Sequence, residues 1–290
     1  METRFLQTLL TAVETGSVAE TARRLNITPS AVTQRIRSLE AEIGRPLLRR
    51  SGQKMQATAA AEALVDDARR MLSLEEDMKA AASSDDLTGL LKVGVIQTAL
   101  TGLMPDIILT LRRSSPGIDL YLVPGTSDAL YRKLANGEID LAIVVKPYFP
   151  LPKSLDWAML RQERHLLITP RGRDIADAAN IETTLPREPF IRYDRNHWGG
   201  RIVDQYLRQL RIRPREQYEL DSLEAIVIMV SRGLGVAIIP DWPEPWPHGV
   251  QVDRIELADA PIREVGLAWS RSSVRLPLIH TFRTIATELA

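Results

Sequence analysis

Thr28-Pro29-Ser30-Ala31-Val32-Thr33-Gln34-Arg35-Ile36-Arg37-Ser38-Leu39-Glu40 is the stretch on which the reading of this chain turns. Threonine caps helices well, because its hydroxyl accepts from a first-turn amide that has no partner within the helix. Proline suits the first helical position, where its missing N–H is not needed. Val32, Ile36, Leu39 and Ile43 recur at i, i+4, i+7 and i+11 and make one apolar stripe. Ser30, Thr33, Gln34, Arg37 and Ser38 occupy the opposite face, with Arg35 at its edge. Hydroxyls, an amide and guanidiniums are the groups that bond to base edges and phosphates. Taken alone, the pattern also fits an ordinary amphipathic surface helix.

The preceding residues decide between the two. Ser17-x-x-Glu20 is a capping box that predicts a short helix, Val18 to Leu25, with Val18, Ala22 and Leu25 on its apolar side. Asn26-Ile27-Thr28 then makes a three-residue turn, in which Asn26 tolerates the left-handed conformation of a helix stop. A helix, a tight turn and a capped helix with a polar outer face make a helix-turn-helix. These residues resemble the LysR-type transcriptional regulators. The resemblance rests on a serine-opened, alanine-rich helix, a turn, and a hydroxyl-rich helix ending Leu39-Glu40. Gly44-Arg45-Pro46-Leu47-Leu48-Arg49-Arg50 then matches that family's Gly-x-Pro-Leu-[Phe/Leu]-x-Arg pattern. Where the family has Thr-x-Ala-Gly, this chain has Thr58-Ala59-Ala60-Ala61, so the next helix is expected to start early.

A chain of 290 residues has room for two or three domains. It has no cysteine, which excludes disulfides, thiolate metal sites and cysteine nucleophiles. Met1-Glu2-Thr3-Arg4 lacks a signal-peptide pattern, and no apolar run approaches ~18 residues. A cytoplasmic protein without a membrane partner is the expectation. The formal net charge of zero hides an uneven distribution. Residues 1–55 carry nine Lys/Arg against five Glu, a surplus of +4, which leaves −4 on the remainder. A basic head on a mildly acidic body suits a polyanion that binds the head only.

Phe5, Leu6, Leu9, Leu10 and Val13 predict a first helix that packs under the other two and stops at Gly16. Arg49-Arg50-Ser51-Gly52-Gln53-Lys54, between Leu47-Leu48 and Met55, reads as a β-hairpin wing able to lay its cations on a phosphate backbone; a plain solvated loop is the alternative. From Thr58 to Ala82 there is no Gly or Pro. Leu64, Met71 and Met78 fall at sevens there, as on a helix that buries its stripe against a second copy. Two heads joined in this way reach half-sites about 34 Å, or a multiple of that, apart. Ser83-Ser84-Asp85-Asp86 is the expected hinge.

Beyond the hinge, strand and helix patterns alternate, which predicts parallel sheets. Strands are expected at Leu91–Ile96, Ile118–Val123, Ile139–Val145, His165–Thr169, Phe190–Tyr193, Tyr218–Leu220 and Val265–Trp269. Helices are expected at Leu103–Arg113, Asp128–Ala135, Trp198–Leu210, Leu223–Ser231 and Leu276–Leu289. Gly137-x-x-Asp140-Leu141-Ala142-Ile143 and Gly233-Leu234-Gly235-Val236-Ala237-Ile238-Ile239-Pro240 resemble matching points of the LysR-type effector domain and, for the first, of periplasmic binding proteins. The resemblance runs almost end to end, and is looser after residue 145. It implies an α/β chain in three parts. Residues 1–58 form a winged helix-turn-helix, and 59–86 a dimerising linker helix and hinge. Residues 87–290 form a two-lobed effector domain of the periplasmic-binding-protein type. One lobe is 87–160 with 265–290 and the other 161–264, with crossovers near Leu160–Arg164 and Pro261–Glu264.

In open α/β sheets a ligand sits beyond the carboxyl ends of the strands, where helix N-termini favour an anion. The strand ends here supply Gln97, Thr98, Thr126, Ser127, Arg192 and Tyr193, with Lys146 and Asp221-Ser222 nearby. Thr98 and Thr126 match places where the resembled regulators use hydroxyls, although either hydroxyl could simply cap a helix. Arg192 is the expected partner of an effector carboxylate, and Trp198 the apolar wall beside it. Phe149 and Trp157 are expected to pack internally. The four histidines are scattered, and no phosphate-cradling or serine-nucleophile motif occurs, so catalysis and cofactors are not expected.

The resulting expectation is a sequence-specific transcriptional regulator responsive to a small anionic effector. The alternative is an architectural DNA-binding protein with no effector response. A periplasmic solute receptor fits poorly with the basic head. Ser30, Thr33, Gln34 and Arg37 are assigned to bases or nearby phosphates, and Arg35, Arg49, Arg50 and Lys54 to phosphates. The resemblance further implies a tetramer and an indirect partnership with RNA polymerase.

Overall fold

The computed structural model describes residues 2–51, 54–81, 87–172 and 180–290, leaving out the side chains of Arg50, Ser51, Lys54 and several residues of the long helix after the wing. The expected hinge at Ser83–Asp86 lies outside the described residues. The chain divides into two compact units, one of residues 1–86 with 136–138 and one of residues 87–135 with 139–290.

The N-terminal unit begins with α1 (Thr3–Thr15), ended by Gly16 in the left-handed conformation (φ 61°). Helix α2 (Val18–Arg24) opens on Ser17, whose hydroxyl accepts from the Glu20 amide. Only half of the capping box forms, because the Glu20 carboxylate turns to Arg23 and Arg24. Asn26 has φ 52°, as a turn between helices requires. Helix α3 (Pro29–Ile43) starts under the Thr28 hydroxyl, which accepts from Ala31 N at 3.2 Å. Its stripe of Val32, Ile36 and Leu39 is buried against Leu6, Leu9 and Leu10 of α1 and Leu47. The Glu40 carboxylate accepts from Leu47 N (2.7 Å) and Leu48 N (3.2 Å), tying the wing to the end of α3. The wing is the antiparallel pair β1 (Leu48–Ser51) and β2 (Lys54–Ala57). Helix α4 (Ala59–Ala81) follows without a break, capped by Thr58 Oγ1 on Ala61 N. Met71, Leu74 and Met78 of α4 are exposed in the isolated chain.

The second unit opens with β3 (Gly89–Val95), α5 (Gln97–Gly102), α6 (Met104–Ser114), β4 (Ile118–Pro124), α7 (Ser127–Ala135) and β5 (Leu141–Val145). Here β3 lies between β4 and β5 and is parallel to both. Then come β6 (Leu155–Pro170), α8 (Ile181–Thr184), β7 (Pro189–Tyr193), α9 (Trp198–Gln209), β8 (Arg215–Leu220), α10 (Leu223–Ser231), β9 (Ala237–Pro240), β10 (Val252–Glu256), β11 (Ile262–Ser270) and α11 (Leu276–Glu288). The parallel expectation holds for β3, β4 and β5 and for the separate pair β7 with β8, but the seven-stranded sheet is mixed. Strand β11 runs antiparallel to both β5 and β6, and β9 and β10 run antiparallel to β6.

The strand expected at His165–Thr169 is the second half of a sixteen-residue strand, β6. Its first half pairs with β11 and its second half with β9 and β10. The segments expected as crossovers, Leu160–Arg164 and Pro261–Glu264, lie where these two long strands run side by side. One core gathers Val93, Ile107, Leu130, Ile143, Leu267 and Phe282 around β3, β5 and β11. A second and a third cover the two faces of the sheet around β6 and β9. Leu166, Ile168, Ala237 and Ile239 enter one of these, and Leu167, Val236 and Ile238 the other. That is why these strands read as unbroken apolar runs: with both faces covered, alternation disappears. Asp140 accepts from Lys92 N (2.6 Å) and from Arg275 (3.0 Å) at the start of β5, a structural role.

Candidate functional sites

The outer face of α3 carries Ser30, Thr33, Gln34, Arg37, Ser38 and Ala41 along one shallow groove. Thr33, Gln34 and Arg37 are exposed, and so is Ser30 at the head of the helix. Thr33 Oγ1 donates to Pro29 O (3.0 Å), and Ser30 and Thr28 share a hydroxyl contact of 2.9 Å. Gln34 and Arg37 have no such local commitment among the described hydrogen bonds. Arg35 stands apart from this face. It is half-buried on the side toward α1, with Nη1 3.4 Å from Thr8 Oγ1. Arg49 is exposed on β1. The backbones of Arg50 and Lys54 lie in the two wing strands, but their side chains are outside the described residues.

In the second unit a cavity of about 260 Å³ lies at the carboxyl ends of β3, β4, β5, β7 and β8. This falls below the ~300–1,000 Å³ of sites for drug-sized ligands, which selects a small molecule. Gln97 and Thr98 enter it after β3, Thr126 and Ser127 after β4, Tyr193 from the end of β7, and Trp198 from the start of α9. Six of the seven residues expected there are thus brought together. Helices α5, α7, α9 and α10 all begin on the cavity. Gly199 in the first turn of α9 lets that helix come close, since a Cβ there would sit 2.7 Å from the Tyr193 ring. Trp198 is buried and packs against Tyr131 and Phe149 at ring separations of 5.6 and 5.5 Å. Thr98 does not cap α5. Thr126 Oγ1 donates to the Asp128 carboxylate at 2.7 Å, and Ser127 Oγ accepts from Val145 N at 3.0 Å.

Arg192 is the exception. It does not line the cavity. Its side chain is buried with Asp204 (3.3 Å) and Glu216 (2.5 Å). Alternation along β7 puts neighbouring side chains on opposite faces, so Tyr193 faces the cavity and Arg192 does not. The expected carboxylate-binding role of Arg192 is therefore corrected: its charge is already used by two carboxylates.

The cation in the cavity wall is Arg263, which the sequence reading passed over. It is 1% exposed, and its Nη2 donates to Thr98 Oγ1 at 3.1 Å. Arg263 of β11 lies directly across from Glu163 of β6 in the strand register, with Nε to Oε2 at 2.6 Å. Arg161, two residues before Glu163 and so on the same face, donates to the other carboxylate oxygen at 2.8 Å. Two guanidiniums share one carboxylate, so the wall keeps a net positive charge. His165 continues that face, with Nδ1 2.7 Å from Pro261 O. Burial lowers its pKa to about 4, with Arg263 acting in the same direction.

The cavity rim has the opposite sign. Asp221 and Glu224 line it. His197 lies 3.3 Å from Asp128, 3.3 Å from Asp194 and 3.9 Å from Asp221. Burial raises the Asp128 pKa, but the Thr126 hydroxyl, His197 and Arg132 outweigh it and hold the carboxyl below its ordinary value.

A helix-turn-helix with an outward row of amide, hydroxyl and guanidinium groups, in one chain with an α/β unit holding a charged cavity, defines a ligand-responsive DNA-binding regulator. The model for the LysR substrate binding domain matches residues 84–290, and that for the bacterial regulatory helix-turn-helix protein of the lysR family matches 3–62. The chain belongs to the LysR family and is a DNA-binding transcriptional regulator with an effector-binding domain. It is similar to the transcriptional activator IlvY of Salmonella typhimurium, at 28% identity over 97% of this chain and 98% of the relative. Among solved structures, full-length OxyR of Pseudomonas aeruginosa, in a cysteine-to-aspartate form, shares 25% identity at a TM-score of 0.73. That match covers 100% of this chain and 96% of the other. CbnR in complex with its target DNA has the same fold, at 23% identity and a TM-score of 0.70 over the whole of both chains.

Proposed function

We propose that this regulator reads an operator of two half-sites as a dimer paired along α4, and that a small anion held at Arg263 modulates it. Ser30, Thr33, Gln34 and Arg37 contact bases or the phosphates beside them. Arg49, Arg50 and Lys54 contact phosphates. Arg35 serves as a flanking contact, given its partial burial. The exposed Met71, Leu74 and Met78 on α4 support the pairing, since an apolar stripe of that size is stable when a second copy covers it. Pairing of effector domains into a tetramer, and closure of a lobe of 87–160 with 265–290 on a lobe of 161–264, complete the reading. The role is regulatory and not catalytic, and the proposed location is the cytoplasm; no helix among the described residues is long and apolar enough to cross a membrane.

The observation that carries the anion reading is Arg263, a buried cation in the wall of a cavity on which four helices begin. Modulation requires the anion to bind two quaternary states with different affinity, because a ligand indifferent to them shifts nothing. The reading is tested by melting the full chain against a library of small carboxylates, phosphates, sugars and simple amines. Stabilising compounds are expected to carry a carboxylate or phosphate. A set dominated by sugars, or by amines lacking an acid group, would overturn it.

A further inference from the structure

The cavity is charged at both ends and with opposite signs, which says more about its ligand than the anion reading alone. Arg263, backed by Arg161 and shared with Glu163, makes the inner wall positive. Asp221 and Glu224, from the turn after β8 and the first turn of α10, make the rim negative.

Among the described residues no lysine or arginine pairs with either rim carboxylate. The nearest donor to Glu224 is the neutral amide of Gln97, at 3.4 Å. The nearest nitrogen of a basic side chain to Asp221 among the described residues is His197 Nε2 at 3.9 Å, and that ring is closer to Asp128 and Asp194. Arg195, the guanidinium nearby in sequence, is committed to Glu216 and Glu219. Tyr193 lines the same cavity; burial holds its hydroxyl pKa above the ordinary value, with Arg263 acting to lower it and Asp221 to raise it.

A dicarboxylate would place its second charge against two like charges. A simple monocarboxylate would satisfy Arg263 but leave Asp221 and Glu224 to lose water unpaired as the cavity closed over it. A molecule with a carboxylate at one end and an ammonium at the other meets both. We propose that the effector is a zwitterionic amino-carboxylate, its carboxylate on Arg263 and Thr98 and its ammonium on Asp221 and Glu224. The proposal rests on the anion reading of the same cavity and adds the second pole.

The test is calorimetric titration of the full chain with matched pairs: each proteinogenic L-amino acid against its 2-hydroxy acid, and β-alanine, 4-aminobutyrate and 5-aminopentanoate against propionate, butyrate and pentanoate. At least one amino-carboxylate is expected to bind tenfold or more tightly than its amine-free partner. In Asp221→Asn and Glu224→Gln that preference should fall to about onefold, while the affinity for the amine-free acid stays the same or rises. These are rim positions, and the melting temperature of each unliganded variant checks that it is folded. If amine-free acids bind as well as or better than every partner, the second pole is wrong and the anion reading survives. If methylamine, titrated alongside as the probe without an acid group, binds and no acid does, both readings fall. Absence of binding across the whole panel also overturns the proposal.

Discussion

The reading head and the effector cavity hold the same kinds of group, guanidiniums, hydroxyls and amides, but they assemble them differently. In the head every functional side chain lies on one helix or one hairpin, and spacing along the sequence dictates which residues share a face. Val32, Ile36 and Leu39 point inward, so Thr33, Gln34 and Arg37 must point outward. In the cavity no element supplies more than a few residues. Arg263 meets Glu163 across two strands a hundred residues apart, and Thr98 from still further away in the sequence. The head is local chemistry displayed on a surface. The cavity exists only once the sheet is complete.

This difference predicts unlike responses to damage. The largest effects should come from the buried cores. Leu39 is fully buried on the inner face of α3, and Leu39→Ala should cost the head about 2–5 kcal/mol. Urea unfolding and footprinting should show DNA binding lost while the cavity still takes its ligand, because the two units have separate cores. Arg263→Ala should destabilise the second unit by about 3–5 kcal/mol, since removing one partner of a buried pair leaves Glu163 with less compensation. Arg263→Gln, which keeps an N–H donor beside Thr98 and leaves the Arg161–Glu163 pair intact, should recover much of that stability without recovering ligand binding. Recovery of both would make Arg263 structural only.

A pH effect should follow from His165, of comparable or smaller size. Its folded pKa of about 4 lies below its ordinary 6.5. Below pH 6.5 the unfolded chain gains a proton that the folded chain refuses until about pH 4. Stability therefore falls as pH drops through that window, by up to about 3 kcal/mol. Comparing urea midpoints of the native chain and His165→Gln at pH 7 and pH 4.5 isolates this contribution. An identical pH slope in the two would refute it.

The smallest effects belong to the DNA-contacting surface. Gln34→Ala should relax base preference at one operator position by about 1–3 kcal/mol and leave non-specific binding unchanged. Arg49→Ala should weaken binding to all DNA alike and reduce the slope of log affinity against log salt by about one. A uniform loss from Gln34→Ala would move that residue to the phosphate class.

The same contrast explains what could be read in advance. Thr28, Pro29, Asn26 and the helical stripe state the head almost completely, because caps, turns and periodicity act within a few residues. The strand ends of the second unit were also legible, and with them Gln97, Thr98, Thr126, Ser127, Tyr193 and Trp198. The cation was not. Arg192 stands beside Tyr193 in sequence and looked available, yet Asp204 and Glu216, from α9 and β8, claim it. Arg263 sits in Pro261-Ile262-Arg263-Glu264, which looked like a polar connection. Likewise Arg161, Glu163 and Arg164 disguised the middle of β6, because charges inside a strand read as a break until their partners are known. One signal was present: Arg161, Glu163 and Arg263 fall on the two segments expected as crossovers between the same two lobes, where opposite charges could have been paired.

The measurement that bears most directly on the account is a footprint of the full chain on the DNA upstream of its own gene, at low and at high salt, with and without Gln34→Ala. Two protected half-sites are expected, about one helical turn, or a multiple of one, apart. Protection should persist at the higher salt and weaken at a defined base position in the variant. Protection with no sequence preference, vanishing as salt rises and unchanged by Gln34→Ala, would contradict it and leave a head that grips only phosphates.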